Sequence, residues 1–130
     1  MFPSRFEAWK AARAFLERFC GEAGVRRETG LKANLVLEEL FMNTVQHGHR
    51  GGSDAAIWIT LEGGEGRVRL VYEDNAAPFN PLGRPRKQLA HTLATEGREG
   101  GLGVVLANAL AASADYAYLF GRNRISLEVA

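Results

Sequence analysis

A chain of 130 residues is long enough for one domain with a buried core, and its 46% hydrophobic and 24% charged residues are ordinary for a globular protein. A formal net charge of +1 argues against nucleic-acid binding by bulk electrostatics, and no segment approaches membrane-spanning length. The opening MFPSRFEAWK has no apolar run of signal-peptide type, and the single cysteine, Cys20, excludes an internal disulfide, so the expected setting is cytoplasmic and reducing.

In chain order, Phe6, Trp9, Ala12, Phe15, Leu16 and Phe19 recur at three and four residues, which predicts a helix over 5–20 broken by Gly21 and Gly24. Cys20 lies on that apolar stripe and reads as a core thiol. A second helix is expected from Thr29, as N-cap, to about His47, ending at Gly48. It is apolar nearly all round, which predicts a buried helix rather than a merely amphipathic one.

The stretch AAIWITLEGGEGRVRLVYED alternates on both sides of GGEG and predicts a β-hairpin. Ile57, Ile59 and Leu61 share one face, and Val68, Leu70 and Tyr72 face the same way in the partner strand. Residues 75–101 are rich in proline, glycine and basic residues, with room for a short helix over 86–94. They form a territory distinct from the hairpins on either side. VVLANALAA, after Leu102, reads as a third helix, and DYAYLFGRNRISLEVA as a second hairpin turning about GRN, with Ile125, Leu127 and Val129 inward. No repeat or linker divides the chain, so residues 1–130 read as one domain. The expected architecture is α+β: a two-layer sandwich with helices on one face of a mostly antiparallel sheet.

Chemistry concentrates in three stretches. Within LVLEELFMNTVQHGHRGG, Glu39 and Asn43 stand four apart and share a helix face. Glu39 thereby points into an apolar arc, where a carboxylate is expensive. Its raised proton affinity would suit a general base, while an asparagine can offer its carbonyl oxygen to Mg²⁺. In YEDNAAPFNP, Asp74 follows a buried strand and could accept a hydrogen bond from an adenine amino group. In EGGLGVVLANAL, Gly100, Gly101 and Gly103, with Leu102 among them, open a helix whose backbone N–H groups could cradle phosphate. Taken singly, a glycine-rich helix start is often only a capping device and an aspartate there only a turn residue.

Together, in this order, the three stretches resemble the ATP-binding domain of the GHKL superfamily, which includes the histidine kinases and DNA gyrase. The stand-alone anti-sigma factor serine/threonine kinases are the most similar members. LEELFMNTVQHG looks like the family's N box, which implies Glu39 as general base and Asn43 as Mg²⁺ ligand. EDNAAPFNP looks like its first glycine box, with Asp74 as the adenine-reading carboxylate. GGLGVVLANAL looks like the second, with Gly101 and Gly103 around the phosphates. The resemblance implies a mixed sheet covered by helices on one face, with ATP and Mg²⁺ between the helical layer and a lid. It also implies transfer of the γ-phosphoryl group to a Ser or Thr of an anti-sigma-factor antagonist, sequestration of a sigma factor, and a homodimer.

This sequence departs from the pattern twice. Ala76 stands where the first box has glycine, and Gly121 is followed by Arg122 and Asn123 rather than threonine. The family's opening strand is reduced to whatever MFPSR can supply. Ala76 would place a methyl group that narrows the adenine slot and weakens ATP binding, or that packs harmlessly against the purine if the backbone there has ordinary φ. It motivates a rival reading: a non-catalytic partner-switching module with weakened nucleotide binding. A third reading is a plain ATPase regulatory domain. His47 and His49 lack further ligands at zinc spacing, and His91 reads as a surface residue. Arg84, Arg86, Lys87 and Arg98 bracket the lid as solvated cations that could meet phosphate or an acidic partner. Trp9 and Trp58 read as packing residues.

Overall fold

The order of elements follows from where the apolar alternation starts and stops. A computed structural model describes residues 1–48, 52–64, 66–80 and 111–130. A two-residue strand β1 (Phe2–Pro3) precedes a 3-10 turn (Phe6–Ala8), helix α1 (Trp9–Glu22) and helix α2 (Arg27–Asn43), which continues as a π-helical turn (Thr44–Gly48). The strands β2 (Ala56–Gly64), β3 (Arg67–Asp74), β4 (Ala111–Leu119) and β5 (Arg122–Val129) follow. They form one sheet in the order β1-β2-β3-β5-β4, and every pairing is antiparallel. This is the expected α+β architecture. Among the described residues no helix is long and apolar enough to cross a membrane.

The period of two sets the core face of the sheet. Ile57 lies opposite Asp74, Ile59 opposite Tyr72 and Leu61 opposite Leu70. On the other side Val68 pairs with Val129, Leu70 with Leu127 and Tyr72 with Ile125. All these side chains but Leu61, which is half-buried, are buried against Ala12, Leu16, Ala33, Val36, Leu37, Leu40, Phe41 and Val45 from the helical layer. The alternate residues make a charged outer face, where Glu73 accepts ion pairs from Arg122 and Arg124 at 3.8 and 3.4 Å. Trp58 lies on that face beneath the Arg122 guanidinium, 3.5 Å from the ring centroid. Trp9 packs its ring against Phe41 at 5.6 Å between centroids.

Four local expectations need correction. Helix α1 runs through Gly21 to Glu22, because one exposed glycine near a helix end weakens it without breaking it. Helix α2 starts at Arg27, so Thr29 lies inside its first turn, buried, and caps nothing. It is also not buried all round: Leu31 and Leu35 are 56% and 47% exposed. The sheet covers one side only, and the stripe facing it is Thr29, Ala33, Val36, Leu37, Leu40 and Phe41. Finally, Ala111 and Ala112 belong to β4 rather than to a helix, because β5 offers a ladder that helix propensity does not outweigh. The rest of the expected third helix, the helix over 86–94 and residues 81–101 of the lid lie outside the described residues.

The second hairpin turns one residue earlier than expected, at Phe120-Gly121, so Arg122 and Asn123 are strand residues. Both turn residues have positive φ, 54° at Phe120 and 76° at Gly121, as a two-residue hairpin turn with right-handed strand twist demands. Phe120 is 98% exposed and gains no packing in return for that backbone. Phe120→Asn should therefore raise stability by up to about 1 kcal/mol, since asparagine tolerates this region better. Chemical denaturation of the two proteins measures it.

Candidate functional site

The C-terminal end of α2 is pinned to the end of β3 through two adjacent rungs. Tyr72 Oη donates to Thr44 Oγ1 and stands 3.1 Å from the carbonyl oxygen of Leu40. Thr44 Oγ1 in turn lies 2.8 Å from Asp74 Oδ2 and 3.0 Å from the Leu40 carbonyl. As a carboxylate Asp74 can only accept, so the Thr44 hydroxyl donates to it. Tyr72 is fully buried, and burial pushes its phenol well above the ordinary tyrosine range, so it remains a donor.

These rungs fix the rotation of α2. Leu40 and Thr44 face β3. Glu39 and Asn43, each one residue earlier, form the neighbouring stripe about 100° around the helix. Both are half-buried. Burial raises the Glu39 carboxyl above the ordinary value of 4.5, with the adjacent Glu38 adding to it. Among the described residues, none forms a hydrogen bond or ion pair with the Glu39 carboxyl or the Asn43 amide. A partly desolvated carboxylate and an amide oxygen thus stand side by side at the helix end, without a partner among the described residues. The helix closes there in a π turn, a geometry that often accompanies functional sites.

Asp74 is 7% exposed and sits at the last position of β3. Its Oδ1 accepts from the backbone N–H of Ala76 at 3.1 Å and from Asn123 Nδ2 at 2.9 Å. Sequence reasoning missed Asn123, noticing it only as the place where a threonine is absent. The usable signal was its inward register one residue from a hairpin turn, a buried position for an amide.

Ala76 is buried and has ordinary φ. Its methyl group points at the end of the π turn: a Cβ built on Gly48 would fall 2.9 Å from the Ala76 Cβ. The methyl occupies the space that glycine leaves open. The turn after β3 and the end of the π turn are therefore in van der Waals contact, and Thr44, the residue after Asn43, is bonded to Asp74. Gly100, Gly101, Leu102 and Gly103, the expected phosphate-binding turn, lie outside the described residues, as do His49, His91, Arg84, Arg86, Lys87 and Arg98. His47 is exposed in the π turn, and the described residues hold no group of three metal-ligating side chains. Cys20 is half-buried beside the core, its thiol pushed up chiefly by burial.

A nucleotide with Mg²⁺ fits this donor set. A carboxylate with a lone pair unused can take a base amino group, an unpartnered amide oxygen suits a hard cation, and a proton-hungry carboxylate lies next to it. A family model described as the histidine kinase-like ATPase domain matches residues 2–128. No curated protein matches the chain.

Proposed function

The chain belongs to the histidine kinase-like ATPase domain family, and on that premise we propose that it is an ATP-dependent serine/threonine protein kinase that phosphorylates an anti-sigma-factor antagonist and sequesters a sigma factor as a homodimer. The observation that carries the reading is the stripe of Glu39 and Asn43 held beside the Leu40–Tyr72 and Thr44–Asp74 rungs. Mg²⁺-ATP, when bound, supplies the phosphoryl group and the charge neutralisation that transfer needs.

The protein's own part is positioning and proton handling. Asp74 receives the amino edge of the base, and Asn43 offers its side-chain oxygen to the cation. Glu39 accepts the proton of the attacking hydroxyl, a role suited to a carboxyl whose proton affinity is raised by burial. Gly100, Gly101 and Gly103, with Leu102, supply backbone N–H groups to the phosphates in this reading. Transfer of labelled γ-phosphate to a serine of a small antagonist domain tests it. ATP hydrolysis without transfer to any antagonist would instead support the regulatory ATPase, and absence of nucleotide binding the non-catalytic switching module.

Asn43→Ala removes the one ligand this helix offers to the cation. Nucleotide affinity in the variant should be nearly the same with and without Mg²⁺, whereas the parent should gain from the metal. Parallel calorimetric titrations decide this, and identical Mg²⁺ responses would remove Asn43 from the metal site.

A further inference from the structure

Asn123 is saturated in a way that fixes its orientation. Its Nδ2 lies 2.9 Å from Asp74 Oδ1, 3.1 Å from the carbonyl oxygen of Ala76 and 3.1 Å from that of Ala77. Its Oδ1 accepts from the backbone N–H of Phe79 at 3.0 Å and from the Tyr116 hydroxyl. All three neighbours of the nitrogen are acceptors and both neighbours of the oxygen are donors, so a flipped amide would oppose like against like. Two hydrogens serve three acceptors. One side chain thus ties the end of β3, the 76–79 turn and the edge strand β4 together.

The consequence falls on Asp74. A carboxylate has about four lone-pair directions. Both on Oδ1 are taken, by the Ala76 N–H and by Asn123. One on Oδ2 is taken by Thr44. Among the described residues, a single acceptor direction on Oδ2 is left.

Resting on the ATP-binding reading above, we propose that Asn123 is a positioning residue that sets base selectivity: by closing Oδ1 and clamping the following turn, it leaves Asp74 one acceptor with a fixed direction. A purine amino group satisfies that acceptor, whereas a purine carbonyl meets it acceptor to acceptor. Asn123 itself need not touch the nucleotide. Without it, each oxygen of Asp74 is in use by one donor and the carboxylate can turn, so that it meets either the amino group of adenine or the ring N–H that an oxopurine presents beside its carbonyl.

The test compares ATP with ITP, whose base replaces the amino group by a carbonyl. The parent should favour ATP by about tenfold or more, the scale for leaving a buried acceptor without its donor. Asn123→Leu should weaken ATP more than ITP and bring the ratio towards one. Equal weakening of both, or an unchanged ratio, would overturn the proposal by making Asn123 a structural residue only. Circular dichroism establishes that the variant is folded. Should it not be, Asn123→Asp keeps the shape and exchanges the donor for a second acceptor beside Asp74. Tyr116 adjoins that position directly, and Tyr72 reaches it through Thr44 and Asp74. A proton held between the two carboxyl groups could restore the donor. Its ATP affinity relative to the parent should therefore be lowest near about pH 8 and recover towards about pH 5. A deficit that does not change with pH would overturn the proposal. If the parent binds neither nucleotide, both the selectivity proposal and the ATP-binding reading fall. ATP binding without the expected effects removes the former alone.

Discussion

Glu39→Gln should reduce phosphoryl transfer by about a hundredfold or more while leaving ATP affinity nearly unchanged, the pattern of a lost general base. The reason lies in where α2 places the carboxyl: half out of water and beside Glu38, so that it holds its proton more tightly than an ordinary glutamate. Glutamine keeps the shape and loses the proton acceptor. The parent's rate should rise with pH through a value above 4.5, and the variant's profile should lack that limb. Stability moves in the opposite sense. A carboxyl whose proton affinity is higher in the folded state binds more protons folded than unfolded, so its contribution falls as pH rises through the ordinary and then the raised value. Below both values the term is absent from the comparison. Above them Glu39→Gln should be slightly more stable than the parent, by less than about 1 kcal/mol because the group keeps part of its hydration. Single-turnover transfer rates and denaturation midpoints across weakly acidic pH check both halves. Parent-like transfer in the variant would remove Glu39 from the chemistry.

The second expected result concerns a contact that involves no polar atom. Gly48→Ala should destabilise the protein by about 1–3 kcal/mol, the range for forcing a methyl group into a filled site. The new Cβ would lie 2.9 Å from the Ala76 Cβ, closer than two carbon atoms can rest, and 3.6 Å from Thr44 Cγ2. Relief requires the π turn or the 76–79 turn to shift, and the latter is tied down by Asn123. In an Ala76→Gly background the obstruction is gone, so the same substitution should cost much less. Ala76→Gly alone should lower stability by roughly 0.5–1 kcal/mol through backbone entropy and lost packing. ATP affinity should change little, because the methyl faces Gly48. A double-mutant cycle measured by denaturation isolates the coupling. Additive effects would show that the two turns do not press on each other.

Periodicity carries part of this fold in one dimension. The inward faces of both hairpins, the helical stripe of α1 and the existence of α2 follow from apolar spacing, because burial of alternate or every third and fourth side chain is a local property of the chain. It also marked Glu39 as exceptional, since a carboxylate within an apolar helix needs a reason visible in one dimension. The remaining features depend on long-range packing. Whether α2 was buried on all sides depended on how many layers cover it, and Leu31 and Leu35 face away from the one sheet. Ala111 and Ala112, expected in a helix, lie in β4 because β5 offered a ladder partner, a long-range term that local propensity cannot contain. Ala76 looked like a defect beside a ligand slot until Gly48 appeared opposite its methyl group, 28 positions away along the chain. Asn123 looked like a missing threonine until five hydrogen-bonding neighbours gathered around its amide. Directed contacts between residues distant in sequence leave no period behind, so they become legible only when folding has brought the partners within reach.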